Sequence, residues 1–330
     1  MIITPVSPRA RDILSASIVW DNHGCMPMRA DEELLPQLDR YSAAGATVAS
    51  INIGYGLMSW ADHVGMARHF RQYVLARPER YHMIATAEDV ALAKATGRLG
   101  ISFDVEGMLP IEHSLERVAE LYELGVRWML IAYNQDNQAG GGCMGEDGGL
   151  TPLGRAIIDE MERVGMVLCL SHSSARTVLD AIEHARNPPI FSHSNPAGAT
   201  AHPRNVDDAV MRACAAKGGV IGLSGIGPFL GVSSDPVAAL LRHIRYVVDL
   251  VGPEYVGLGL DFVFDRTELD DFVRANPSLF PTDLDGTIAM VPPEAIPQIA
   301  EGLIRDGLSD AEISGILGGN WLRIARACWR

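Results

Sequence analysis

The stretch CLSHSSARTVLDAIEHARNPPIFSHSNPAGATAHPRN, Cys169–Asn205, decides how this chain is read. It carries one phrase twice: Leu170-Ser171-His172-Ser173 and Phe191-Ser192-His193-Ser194. Each histidine ends a short apolar run, Met166–Leu170 in the first case and Pro189–Phe191 in the second. Such runs, bounded by turn formers, read as buried parallel strands. Ser174–Ala185, between them, has the length of a crossover helix returning to the same sheet. Two histidines at the C-terminal ends of consecutive parallel strands open into one cleft, the end at which α/β barrels carry their active sites. One such histidine alone would read as a hydrogen-bonded core residue. Two in matching positions, with carboxylates at other strand ends, point to metal ligation.

Outward from this stretch, apolar runs and helical patterns alternate. Strands are expected around residues 17–23, 47–53, 99–105, 127–133, 166–171, 189–192, 219–223 and 255–261. Helices are expected over 31–44, 61–76, 87–95, 114–124, 151–164, 207–217 and 236–251. Alternation of this kind gives a parallel sheet, and eight units close it into an α/β, (β/α)8 TIM-like barrel. No linker divides the chain, so residues 1–330 read as one barrel domain, with two or three extra helices in Pro292–Arg330. Along an extended segment Asp21, His23 and Cys25 share a face. His63 and His69 lie six apart, off one helical face, and read as surface residues. Gln138–Gly149 is rich in glycine without phosphate-loop spacing and reads as a mobile loop over the cleft mouth.

Composition narrows the classes further. With 330 residues, 48% hydrophobic and 21% charged, the chain can bury a large core. A net charge of −14 with no long basic run argues against a nucleic-acid partner. No apolar run approaches membrane-spanning length, and Met1–Ala16 lacks a signal-peptide pattern, so no membrane association is expected. Five cysteines at irregular spacing argue against a disulfide scaffold and for a cytoplasmic protein.

The strand ends offer His23, Cys25, Glu106, Tyr133, His172, His193 and Asp261. Imidazole, carboxylate and thiolate together suit zinc. A carboxylate between two metals can bridge both, and a metal pair activates water and polarises a carbonyl. Asp261 can accept the water's proton and pass it to a leaving amine. Arg204 offers a fork for a substrate carboxylate.

Seven motifs together carry a resemblance: Asp21-Asn22-His23, Val105-Glu106-Gly107, Leu170-Ser171-His172, Phe191-Ser192-His193-Ser194, Pro203-Arg204-Asn205, Gly257-Leu258-Gly259-Leu260-Asp261 and Gly318-Gly319-Asn320-Trp321-Leu322-Arg323. From about Ile13 to Arg326 the chain resembles the membrane dipeptidase (renal dipeptidase) family of zinc peptidases, among the amidohydrolase-like barrels. The resemblance implies hydrolysis of dipeptides, often with a D-residue on the C-terminal side, and commonly a homodimer. It implies two zinc ions. His23 would bind the first, Glu106 would bridge, and His172 and His193 would bind the second. Arg204, with Asn205 beside it, would hold the substrate carboxylate, and Asp261 would serve the catalytic water. The last glycine-rich motif reads as structural.

Two positions depart from the family. It has His-x-Asp where this chain has His23-Gly24-Cys25, and a carbonyl-polarising histidine where this chain has Tyr133. Cys25 reads either as a thiolate zinc ligand, with a bond of about 2.3 Å against about 2.0–2.2 Å for carboxylate oxygen, or as a small buried residue beside a single-metal site. Tyr133 reads either as an oxyanion donor or as packing. These departures keep two alternatives open: a metal amidohydrolase acting on another small substrate such as an N-acyl amino acid, and a ligand-binding barrel without turnover.

Overall fold

Ten parallel strands share one sheet in the computed structural model, which describes residues 6–232, 234–284 and 288–330. They are β1 (Trp20–Cys25), β2 (Val48–Tyr55), β3 (Tyr81–Met83), β4 (Leu99–Glu106), β5 (Val126–Leu130), β6 (Val167–Cys169), β7 (Ile190–Phe191), β8 (Val220–Leu223), β9 (Val256–Leu258) and β10 (Phe262–Val263). The neighbour order β1-β2-β4-β5-β6-β7-β8-β9 closes on itself where Asp21 pairs with Leu258. Those eight strands form the barrel that the alternating pattern predicts. Except for β1, whose buried Trp20–Cys25 carries Asp21, Asn22 and His23, each arises from a largely apolar run buried on both faces, as parallel strands between helices must be. The two further strands are short additions. β3 pairs with the first residues of β4, and β10 runs beside the end of β1 at Gly24 and Cys25. At two or three residues they leave no periodic signal to read.

Helices fill the outer layer and begin where side chains can satisfy the free backbone amides. The helix Ala175–His184 starts at Ser174, whose Oγ accepts from the Thr177 amide at 3.3 Å. Thr86 and Asp89 form a reciprocal capping box at the start of Ala87–Thr96. The predicted helix over 31–44 is shorter than expected. Only a 3-10 turn at Leu35–Leu38 and a helix at Asp39–Ala43 form. Pro36 cannot donate a helical hydrogen bond and disfavours the helical region for the residue before it. Asp31 instead closes a local turn, accepting from the Glu33 amide at 3.0 Å.

Placing His63 on the surface was wrong. In the helix Trp60–Leu75 it joins Met66, Ala67, Phe70 and Val74 on the inward stripe and is fully buried. Its Nδ1 sits 2.9 Å from the Ser59 carbonyl, and its ring packs directly on Gly54 of β2.

The end of the barrel away from the strand C-termini is plugged. Trp20, Trp128, Trp321 and Ile324 form one buried cluster there. Asn320 donates to the carbonyls of Pro253 and Val256, and Trp321 donates to Leu258. A side chain at Gly318 would meet the Ile18 carbonyl at 2.6 Å, so glycine permits this close approach. The Gly318–Arg323 motif is therefore a structural stopper, as expected. The ends of the chain meet where the Ser7 amide donates to Glu301 at 2.9 Å. No helix among the described residues is long and apolar enough to cross a membrane.

Candidate active site

Every strand of the barrel delivers its last residues to one rim. β1 ends in His23 and Cys25, β4 in Glu106, and the turns after β6, β7 and β9 carry His172, His193 and Asp261. Three residues at this rim hold left-handed backbone conformations: Asn134 (φ 57°), His172 (φ 65°) and Asp261 (φ 60°). Such angles are uncommon outside glycine and cluster where function demands a particular side-chain direction.

Glu106 stands at the centre. Its Oε1 lies 3.1 Å from His172 Nε2, 3.3 Å from His193 Nε2 and 3.6 Å from His23 Nε2. This buried oxygen has no hydrogen-bond partner. His172 and His193 bring their Nε2 atoms to 2.8 Å of one another. On the other side, His23 Nε2 lies 3.5 Å from Cys25 Sγ and 3.6 Å from Asp261 Oδ1, and the thiol lies 3.7 Å from the same Asp261 oxygen.

The far nitrogen of each imidazole reveals what the near one can do. His172 Nδ1 faces Asn134 Oδ1 at 2.8 Å, and that amide is oriented by its own donation to the Leu279 carbonyl. His23 Nδ1 faces the Asp104 carboxylate at 3.1 Å. Both partners are acceptors, so the network assigns a proton to each Nδ1 and turns each Nε2 toward the cluster, where in the neutral ring it is a lone pair. His193 Nδ1 is held by Ser192 Oγ at 2.8 Å. Two imidazole Nε2 atoms and an unpartnered carboxylate oxygen thus converge, an arrangement that suits a divalent cation. Two ligand groups are present: His23, Glu106 and His193, and His23, Cys25 and Asp261. The residues fit a metal centre of one or two ions.

Electrostatics agree with this fit at His172 and His193, whereas His23 holds an extra proton that a bound cation would displace. Burial pushes His172 and His193 well below the ordinary imidazole range, keeping both neutral and ready to ligate. Burial also lowers His23, but Cys25, Asp104 and Glu106 outweigh it and hold this imidazole well above its usual value. Burial raises Glu106 to about 8 despite His23, with Asp261 and Asp104 adding to the rise. Burial lifts the Cys25 thiol to about 12, against the pull of His23. A cation reverses the logic for both acidic groups.

Asp21 does not join His23 and Cys25. A register shift between Asp21 and Gly24, where β1 pairs with β2, separates them. Asp21 instead accepts from the Tyr41 hydroxyl at 3.0 Å and the Leu260 amide at 2.7 Å.

The cleft above the cluster has an open volume of about 880 Å³ including its mouth. Arg204 lines it, is only 4% exposed, and makes no ion pair among the described residues. Tyr133 also lines it. Its ring stacks on His172 at 4.5 Å, and its hydroxyl has no hydrogen bond among the described residues. Asn205 does not reach the cleft. Its amide donates to the carbonyls of Thr200 and Phe229 at 2.8 Å each, which shapes the loop that carries Arg204.

The glycine-rich segment 138–149 does not cover the mouth either. Asp136 accepts from the amides of Gly142 and Glu146, Thr177 from that of Gly141, and the His172 carbonyl from that of Cys143. It is a pinned buttress behind His172. The roof comes from residues 263–284 and 288–290, to which the sequence pattern gives no role; the helix Arg266–Ala275, capped by Asp265, lies there.

Several supporting residues were also missed. Asp104 accepts from Ser50 at 2.7 Å and Asn52 at 3.0 Å besides holding His23. Ser224 donates to Asp261 Oδ2 at 3.1 Å. The signal for Asp104 was present: two residues before Glu106 on an extended strand, it shares that residue's face.

Known proteins bear on this geometry. A sequence model of the membrane dipeptidase family (peptidase family M19) matches residues 8–276. Dipeptidase verJ of Clonostachys rogersoniana is 30% identical over 86% of this chain and 66% of its own length. An uncharacterised dipeptidase of Schizosaccharomyces pombe is 32% identical over 71% of this chain and 54% of its own. The chain therefore spans between about half and two thirds of these relatives. An amidohydrolase structure from Pseudomonas aeruginosa superposes with a TM-score of 0.88 at 26% identity, covering 97% of this chain and 99% of that one. The match over most of the barrel, with the clustered histidines and Glu106 inside it, places this chain in the membrane dipeptidase family, peptidase family M19.

Proposed function

We propose that the protein hydrolyses the amide bond of dipeptide-like substrates bearing a free carboxylate, using zinc held at the strand ends. One observation carries this reading: the unpartnered Glu106 Oε1 within 3.1–3.6 Å of three imidazole nitrogens. His23, Cys25 and Asp261 would hold one ion, His172 and His193 a second, with Glu106 between them. When bound, the metal lowers the pKa of a water and polarises the carbonyl.

The chain's own residues supply the rest. Arg204, buried and with no ion pair among the described residues, receives the substrate carboxylate, which fixes the scissile bond over the cluster. The Tyr133 hydroxyl, with no hydrogen bond among the described residues, donates to the carbonyl oxygen as charge develops there. Asp261, where its carboxylate is not taken up by the ion, takes the proton of the attacking water and returns it to the departing nitrogen, and Ser224 donates to Oδ2 to orient the group. Five unpaired cysteines support a cytoplasmic setting.

The test is hydrolysis of a panel of L,L and L,D dipeptides by protein stripped of metal and then reloaded with zinc, with bound metal measured in parallel. Zinc-dependent turnover is expected. A protein that binds zinc and cleaves nothing on the panel is a ligand-binding barrel instead.

A further inference from the structure

We propose that Asn134 is a positioning residue that ties the His172 imidazole to the roof segment 277–280, so that the orientation of this ligand and the seating of the roof are coupled through one side-chain amide. The zinc part of this inference rests on the metal-hydrolase reading; the tautomer it assigns to His172 does not.

Asn134 is 1% exposed and holds a left-handed φ of 57°. Its main chain and that of His172 are pinned to the same two residues. The Met144 amide donates to the Asn134 carbonyl at 2.7 Å, and the Cys143 amide donates to the His172 carbonyl at 2.7 Å. With both backbones fixed, the side chains span the gap. Asn134 Oδ1 sits 2.8 Å from His172 Nδ1 and accepts the Cys143 thiol at 3.6 Å, while Nδ2 donates to the Leu279 carbonyl at 2.8 Å. The next residue adds a second tie, with Gln135 Nε2 donating to the Ser278 carbonyl at 2.7 Å.

A backbone carbonyl can only accept, so Leu279 decides which end of the amide faces the roof. The reverse orientation would set two oxygens against each other. Oδ1 therefore turns to His172, the neutral ring carries its proton on Nδ1, and Nε2 faces Glu106 Oε1 at 3.1 Å. His23 is backed differently. Its Nδ1 meets the Asp104 carboxylate, whose other partners, Ser50 and Asn52, belong to β2. A carboxylate in place of Asn134 would serve His172 equally well but would have no N–H for the roof. An ion on Nε2 makes Nδ1–H a stronger donor, which polarises the amide and strengthens its bond to Leu279. By linkage, the seated roof favours the ion by the same factor.

The first readout needs no metal: nitrogen NMR shifts of the His172 ring in the full chain at about pH 8, above the ordinary imidazole range. The Nδ1–H tautomer is expected, and an Nε2–H or doubly protonated ring overturns the inference. The second is hydrogen exchange of the 276–280 amides with and without zinc, which should slow at least about twofold on loading. Asn134→Asp keeps the acceptor for His172 and removes the donor to Leu279. It should retain the tautomer and lose the zinc response. Asn134→Gly, which adopts the same φ without strain, should lose the tautomer and weaken zinc binding by about 10–100-fold, as removing the group behind a ligating imidazole does. Gln135→Ala, which cuts only the second tie, should speed exchange alike in both states. A packing role would speed roof exchange in every variant and leave the His172 tautomer and the zinc response as in the parent; that pattern overturns the inference. So does a parent protein that binds zinc with no change in roof exchange. If the parent binds no zinc, the metal reading fails by itself. The tautomer then still decides the assignment to Asn134: Nδ1–H retained in Asn134→Gly overturns it.

Discussion

Replacing Asp104 with asparagine tests whether the buried polar floor beneath His23 serves metal binding. Asp104 is fully buried and accepts three hydrogen bonds, from His23 Nδ1 at 3.1 Å, Ser50 Oγ at 2.7 Å and Asn52 Nδ2 at 3.0 Å. Asparagine has the same shape. Its oxygen can keep the bonds from His23 and Asn52, which both reach Oδ1, and its new N–H groups face Ser50, whose hydroxyl can accept. No buried group is orphaned, so the fold should change by no more than about 1 kcal/mol, the net worth of an ordinary hydrogen bond. What disappears is one negative charge beside the imidazole whose opposite nitrogen would hold the ion. Changes of this kind behind a ligating histidine typically cost about 10–100-fold in metal affinity, or about 1.4–2.8 kcal/mol. A competition titration against a chelating dye at neutral pH measures the affinity, with circular dichroism and melting as folding controls. A well-folded variant that binds zinc as tightly as the parent would refute the role assigned to Asp104.

Three further outcomes follow from the geometry. Tyr133→Phe should lower kcat by about 10²–10³ with little change in KM, the usual cost of removing an oxyanion donor; unchanged turnover would leave Tyr133 as packing on His172. Arg204→Met should raise KM for substrates with a free carboxylate by about 10–100-fold, as expected for losing a charged hydrogen bond, while the carboxamide form of the same substrate should be nearly indifferent to the change. Asp21→Asn should flatten the pH dependence of stability. Burial raises Asp21 from 3.8 to about 7, against the opposing hydrogen bonds from Leu260 and Tyr41. The folded state therefore holds this proton more tightly than the unfolded state. Its contribution is fully present below about pH 3.8 and is lost as pH rises through about 7. The variant should be the more stable protein at alkaline pH in thermal melts, and an unchanged pH profile would contradict the shift.

The barrel was legible because most strands are self-contained apolar runs and most helices carry their own start and stop. The repeated Ser-His-Ser phrase added the direction of the cleft. Glu106, His172, His193 and Asp261 were readable for the same reason: each immediately follows or ends such a run. The misreadings share a different cause. His63 lies on a helix whose inward face depends on what packs beneath it, here Gly54. The 138–149 segment looked loose by composition, yet its backbone amides are taken up by Asp136, Thr177 and His172, residues whose proximity no local pattern encodes. Asn205 followed a motif by one residue and points its amide into the loop instead of the cleft.

The sequence by itself determined the architecture, the ligand types and the chemistry they suit, because periodicity and residue identity are local properties. Only the tertiary structure decided which atoms meet. The convergence of imidazole nitrogens on Glu106, the floor beneath His23, the buried Arg204 with no ion pair among the described residues and the roof over the cleft all join residues far apart in the chain. Hydrogen-bond direction and burial arise only after the barrel closes, and it is these that turn a set of candidate ligands into a site.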